Sequence, residues 1–263
     1  MLDVSVLKVA VLGLGEAGSL IAADLVRSGV SVRGYDPIPE RTAIGIQRVS
    51  SPLEAAEGAD VILSLNWSRT SLQAAESVLA ALRPGMIYAD LNTSAPSKKL
   101  EVAALIAPSA ASFADVALMN PVPGNGLRTP ALVSGPGAAQ FAQIFSTLGM
   151  PIESIGLEVG TAVARKLARS IFFKGLAACV GEALEAAQQL GCEDWLHENI
   201  GQTLEGMKAS TVERLLEGSR THAVRRSEEM QAAVQMLREL GLEPRMAGAT
   251  QTWLQILSEK HSI

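Results

Sequence analysis

The sequence predicts an α/β fold, with a doubly wound, mostly parallel sheet over residues 1–157 followed by an all-α region over residues 158–263. Three observations predict it. The apolar run Val6-Leu7-Lys8-Val9-Ala10-Val11-Leu12 leads directly into Gly13-Leu14-Gly15-Glu16-Ala17-Gly18. Short β-rich runs then alternate with helical stretches to about residue 155, the pattern of a sheet covered on both faces. After Glu158 proline is absent until Pro244, and Ala, Leu, Glu and Gln dominate with apolar residues three and four apart, the period of helices.

The first strand, residues 8–12, ends in a GxGxxG turn that opens a helix over about 17–28. Each glycine has its own physical task. Gly13 permits the tight turn, Gly15 lets the backbone approach a pyrophosphate, and Gly18 lets the helix pack closely on the sheet. With Leu14, Glu16 and Ala17 they form a phosphate cradle, because the helix start offers free N–H groups and the positive end of its dipole. The second strand, residues 30–35, ends at Asp36, about twenty residues past the turn, where a carboxylate can accept both ribose hydroxyls of a dinucleotide. Strand, turn, helix, strand and acid in this order define a Rossmann-type dinucleotide site. Asp36 would face the 2′-phosphate of NADP without a positive partner, and Pro37 stands where NADP enzymes often carry Arg, so NAD is favoured. Arg41 could swing toward a 2′-phosphate, which keeps NADP possible.

Further strands are expected over 61–65, 86–90, 112–118 and 131–134, with a last one near Ile152. The next helix, from about 159 to 190, is long enough to join the two regions. It is small or aliphatic almost all round, and a helix apolar on most faces must be buried. In so small a helical region a second subunit is a plausible cover, so a homodimer is expected.

The chain has 263 residues, 48% of them hydrophobic and 4% aromatic, enough for a large aliphatic core. A net charge of −5 supplies no basic footprint, which argues against nucleic acid and anionic membrane as partners. No apolar run reaches the length of a membrane span, so a soluble cytoplasmic protein is expected. Cys179 and Cys192 are far apart with no His at ligand spacing, and read as reduced, packed thiols without a metal.

Lys166, Ser170 and Lys174 recur every four residues and form one polar stripe on an otherwise apolar helix. A desolvated ammonium near other cations, here Arg165 and Arg169, gives up its proton more readily and can act as a general acid or base. A solvated face or an interface salt bridge would produce the same stripe.

Gly13 to Gly18, Asp36, the segment Ala89-Asp90-Leu91-Asn92-Thr93-Ser94-Ala95-Pro96, and Gly160-Thr161-Ala162-Val163-Ala164-Arg165-Lys166 followed by Ser170 together resemble the β-hydroxyacid dehydrogenases, relatives of 3-hydroxyisobutyrate and 6-phosphogluconate dehydrogenases. The resemblance covers nearly the whole chain. It implies that Lys166, placed by spacing back from Glu182-Ala183-Leu184, is the catalytic acid/base, that Ser170 stands where a substrate-touching asparagine is usual, and that Thr93 lies by the nicotinamide ribose. Two departures stand out. The family's DxPVSGG loop, which holds the substrate carboxylate, is replaced by Asp115-Val116-Ala117-Leu118-Met119-Asn120-Pro121-Val122-Pro123-Gly124-Asn125-Gly126, leaving Asn120 as a candidate contact. The late KDL motif gives way to Glu228-Glu229-Met230. One turn earlier His222, Arg225 and Arg226 occupy adjacent helical positions, and Arg suits bidentate capture of a carboxylate or phosphate.

The function expected is hydride transfer between a nicotinamide and the carbinol carbon of a small β-hydroxy acid, with Lys166 moving the hydroxyl proton and the substrate between the sheet's C-terminal edge and the helical region. The alternatives are an imine reductase-like enzyme or a decarboxylating sugar-acid dehydrogenase on the same fold, or a non-catalytic NAD(H)-binding sensor.

Overall fold

A computed structural model describes residues 6–260 of the chain. Its elements begin β1 (Lys8–Leu12), α1 (Glu16–Arg27), β2 (Ser31–Tyr35), β3 (Gln47–Arg48), α2 (Pro52–Ala56), β4 (Val61–Ser64), α3 (Ser71–Glu76), β5 (Ile87–Asp90), α4 (Pro96–Ile106), β6 (Ser112–Leu118), β7 (Ala131–Ser134), α5 (Ala138–Thr147) and β8 (Ile152–Ser154). Five helices follow, α6 (Thr161–Gln189), α7 (Glu193–Glu205), α8 (Thr211–Thr221), α9 (Ala223–Glu239) and α10 (Arg245–Lys260). The α/β architecture with an all-helical C-terminal region is the one the sequence predicts.

The eight strands form one sheet in the order β3-β2-β1-β4-β5-β6-β7-β8, parallel except where β6 meets β7. Strand order reverses between β1 and β4, which opens a crevice at their carboxyl ends. The central strands are covered on both faces, so β4 and β5 are buried throughout. One core cluster gathers Val9, Val11, Ile21, Leu25, Val116 and Phe141, and the other gathers Ala10, Leu12, Ile62, Tyr88, Val102 and Ile106. The short β3 has no sequence signature, since two residues cannot display a period of two.

The chain divides into two compact units after Arg169. The composition changes at Glu158, but the first turns of α6 stay with the sheet because its N–H groups are held there. Ala162 N–H donates to Ser134 Oγ at 3.0 Å and Val163 N–H to Asp115 Oδ2 at 3.0 Å.

The second unit has a small core of Ala186, Val234, Leu237 and Ala247. Glu182 caps α10, accepting from Met246 N at 2.8 Å and Ala247 N at 2.7 Å, which gives the Glu182-Ala183-Leu184 segment its structural task. The burial expected for α6 is not met within one chain: Ile171 is 78% exposed, and Phe172 and Phe173 are also exposed. Cys179 is likewise exposed rather than packed, and Cys192 is half-buried; both are free thiols.

Candidate dinucleotide site and the polar row beside it

The three glycines of the cradle divide their work as their surroundings require. Gly13 has φ +101°, and a Cβ there would stand 2.3 Å from the Leu65 carbonyl oxygen. A Cβ on Gly18 would lie 1.9 Å from the Gly13 carbonyl oxygen, so only glycine lets α1 approach β1 this closely. Around Gly15, by contrast, the nearest atom to a Cβ would be Arg41 Nη1 at 3.9 Å. The space over Gly15 is thus kept clear of protein, as a pyrophosphate approaching the α1 N-terminus needs. The helix begins at Glu16 with Gly15 at its cap and no side chain satisfying the first N–H groups.

This cradle is one wall of a cleft of about 700 Å3 whose other walls include Asp36, Pro37, Ile38, Arg41, Asn66 and Trp67. Asp36 is buried at 3% exposure, and its carboxylate ties the cleft together. Oδ2 accepts from Leu14 N at 2.8 Å and Oδ1 from Ile38 N at 2.9 Å. A carboxylate has about four acceptor sites, so capacity remains for ribose hydroxyls. Arg41 Nη1 lies 3.7 Å from Asp36 Oδ2, which puts the guanidinium at the cleft. Arg48 fastens the loop beneath it by donating to the carbonyls of Asp36, Ile38 and Arg41.

A second feature crosses the sheet at the level where β1 ends. The register pairs Leu12 with Ser64, Ser64 with Asp90, Asp90 with Asp115 and Asp115 with Ser134, so four polar side chains line up on adjacent strands. All four are buried, as is Lys99 of α4. Lys99 Nζ donates to the Asp90 carbonyl at 2.7 Å and lies 3.3 Å from Asp90 Oδ1 and 3.2 Å from Asp115 Oδ1. It thus makes one hydrogen bond, to the carbonyl, and two ion-pair contacts that place its charge between the two carboxylates. Burial pushes the Asp90 carboxyl above its ordinary pKa, opposed by the Lys99 charge and the hydrogen bonds from Asn92. Burial, with the Asp90 charge second, raises the neighbouring Tyr88 phenol as well.

Of the predicted residues, the cleft brings together Gly13, Gly15, Glu16, Ala17, Gly18 and Asp36, with Leu14 buried behind the turn. Thr93 is exposed on the loop between β5 and α4. Lys166 is half-buried on α6, one turn beyond Ala162. Asn120 is exposed on the loop after β6, beside Met119, whose carbonyl accepts from Arg169 Nη1. The second unit holds the others: Ser170 half-buried, Lys174 exposed, and His222 exposed. His222 does not share a helix with the arginines but marks the junction of α8 and α9. Arg225 pairs with Glu229 of its own helix, and Arg226 Nη1 donates to Ser219 Oγ at 3.0 Å.

Sequence reasoning passed over Lys99, Ser64, Ser134, Asn66 and the structural part played by Asp115. A signal was present in the polar residues that close the apolar runs Val61-Ile62-Leu63-Ser64 and Ile87-Tyr88-Ala89-Asp90.

A glycine cradle with open space over its middle glycine, an acid at the end of β2 and a crevice at the strand-order switch define a dinucleotide-binding protein. The chain belongs to the family of the NAD binding domain of 6-phosphogluconate dehydrogenase, whose model matches residues 8–139, while residues 187–257 match DUF1932, a domain of unknown function. A relative from Mycobacterium tuberculosis bearing the name "Probable 3-hydroxyisobutyrate dehydrogenase" is 28% identical over 197 residues, covering 62% of this chain and 67% of its own. A solved conserved protein of unknown function, described as structurally similar to 3-hydroxyacid dehydrogenases, is 29% identical and covers 96% of this chain and 97% of its own at a TM-score of 0.62. The imine reductase of Myxococcus stipitatus, solved with NADP+, shares the fold at a TM-score of 0.81 with 18% identity, covering 96% of this chain and 94% of its own. Family and fold make this chain an NAD(P)-binding oxidoreductase, and among the described residues no helix is long and apolar enough to cross a membrane.

Proposed function

We infer that the protein is an NAD-dependent dehydrogenase that moves a hydride between nicotinamide C4 and the carbinol carbon of a small β-hydroxy acid, with Lys166 as the acid/base. The observation that carries this reading is the docking of α6. Asp115 and Ser134 hold its first turn to the polar row, and Lys166 follows Ala162 by one turn on the same helix face. In oxidation the neutral Lys166 amine takes the hydroxyl proton as the hydride leaves; in reduction the ammonium returns it. The cofactor supplies the redox chemistry, and the protein's residues orient it, hold the proton and exclude water. Thr93, Asn120, Ser170, Lys174, His222, Arg225 and Arg226 are the candidates for contacts to ribose and substrate. The names of the relatives favour a β-hydroxy acid. An imine reductase is the second reading, favoured by the fold likeness and by the replaced carboxylate loop.

A panel of β-hydroxy acids with NAD+, and of cyclic imines with reduced cofactor, separates the two by absorbance of the reduced nicotinamide. Formation of reduced cofactor from a β-hydroxy acid is expected. Consumption with imines alone would assign the second reading, and no turnover in either arm would leave a dinucleotide sensor.

Cofactor choice follows from Asp36 and Arg41. The Asp36 carboxylate repels a 2′-phosphate, so NAD(H) is expected to bind more tightly than NADP(H) in titrations read by the fluorescence of Trp67, which is 67% exposed at the cleft. Arg41→Ala should widen the preference by weakening NADP(H) alone. Equal affinities in the unaltered protein would make Arg41 the determinant.

The exposed apolar stretch Ile171-Phe172-Phe173 supports a homodimer. Light scattering after chromatography should give twice the chain mass, and Phe172→Asp should shift it toward one. A monomer from the unaltered chain contradicts the assignment.

A further inference from the structure

The polar row joins the cofactor cleft to the first turn of α6 by an unbroken series of contacts. Asn66, at the cleft, donates its backbone N–H to Asn92 Oδ1. The Asn92 backbone N–H and Nδ2 both donate to Asp90 Oδ1, at 2.9 and 2.6 Å. Lys99 bridges Asp90 to Asp115, and Asp115 Oδ2 accepts from Val163 N–H and from the Ser134 hydroxyl. Ser134 Oγ in turn accepts from Ala162 N–H.

Stability alone accounts poorly for this cluster. Three ionisable side chains are buried, and each of the two carboxylates has an oxygen, Asp90 Oδ2 and Asp115 Oδ1, without a hydrogen-bonding partner. Buried ion pairs are commonly matched or exceeded in stability by apolar residues of the same volume. Their value lies in fixing geometry, and here the fixed element is the helix that carries Lys166.

We propose that Lys99 and Asp115 are positioning residues that couple occupancy of the dinucleotide cleft to the docking of α6. The loops bearing Asn66 and Asn92 follow β4 and β5, so a dinucleotide seated in the cleft orders the Asn66 end of the series. Lys99 carries that order across to Asp115, which tightens its hold on the Val163 amide. The coupling is reciprocal, so loosening the α6 end weakens the dinucleotide as well. The inference rests on the reading that Lys166 is the acid/base only for its purpose; the coupling itself concerns cofactor and helix.

Hydrogen exchange of the Ala162 and Val163 amides, with and without NAD+, tests it. In the unaltered protein NAD+ should slow their exchange roughly 5- to 150-fold, the range of typical coupling energies. Lys99→Met removes the bridge, and Asn92→Ala cuts the series on the cofactor side while leaving the Lys99 charge paired, so a folding failure of the first leaves the second. Either folded variant should still bind NAD+ but lose the NAD+-dependent change. A merely structural role would alter exchange equally with and without NAD+. Unaltered protein that binds NAD+ without added protection, or variants that keep the full change, overturns the coupling. Unaltered protein that binds neither NAD+ nor NADP+ overturns the cofactor reading on which it depends.

Discussion

Lys166→Ala is expected to lower turnover by about 10²- to 10⁴-fold while leaving NAD+ affinity nearly unchanged, since general acid–base catalysis contributes that much and the side chain is absent from the cradle. In the oxidative direction the rate should rise with pH as Lys166 loses its proton, because only the neutral amine accepts one, and this limb should vanish in Lys166→Ala. Lys174→Ala, two turns along the same stripe and exposed, is expected to cost far less. Steady-state kinetics of both variants across a pH range checks the assignment. Full activity in Lys166→Ala, or a loss confined to substrate affinity, would move the role to Lys174 or His222.

Gly15→Val should abolish dinucleotide binding and leave the fold intact. The added side chain would enter the space reserved for the pyrophosphate, and the nearest protein atom to the new Cβ is the Arg41 guanidinium at 3.9 Å, ordinary contact distance, so nothing in the core is displaced. Gly13 and Gly18 would not separate the two effects, because a Cβ at either position meets backbone oxygen. Titration with NAD+ beside a thermal melt reads the result. A variant with unchanged affinity would place the dinucleotide outside this cleft.

The parts of the fold legible in the sequence were those with a local physical signature. The GxGxxG turn announces itself because each glycine answers a separate steric demand, and the expected strands 112–118 and 131–134 coincide with β6 and β7 because apolar β-formers fill them between turns. The all-helical C-terminal region was visible in its period and in the absence of proline between Glu158 and Pro244. What stayed hidden was set by register between distant strands. Ser64, Asp90, Asp115 and Ser134 become neighbours only when four strands align, and a lysine within α4 gives no local sign that it reaches them. The sequence pattern puts Asp115 at the start of the replaced substrate loop, whereas its carboxylate holds α6. The composition of α6 predicts burial, but it does not say which surface supplies the cover.

The central claim is hydride transfer to nicotinamide C4 from a carbinol carbon, and isotope transfer measures it most directly. A β-hydroxy acid found active in the panel is labelled with deuterium on its carbinol carbon and oxidised with NAD+ in ordinary water, and the reduced cofactor is weighed by mass spectrometry. The account predicts one deuterium on the reduced nicotinamide, with its rate of appearance collapsing in Lys166→Ala. Reduced cofactor that carries only solvent hydrogen, or labelled acid recovered unchanged while imines are reduced, would contradict it.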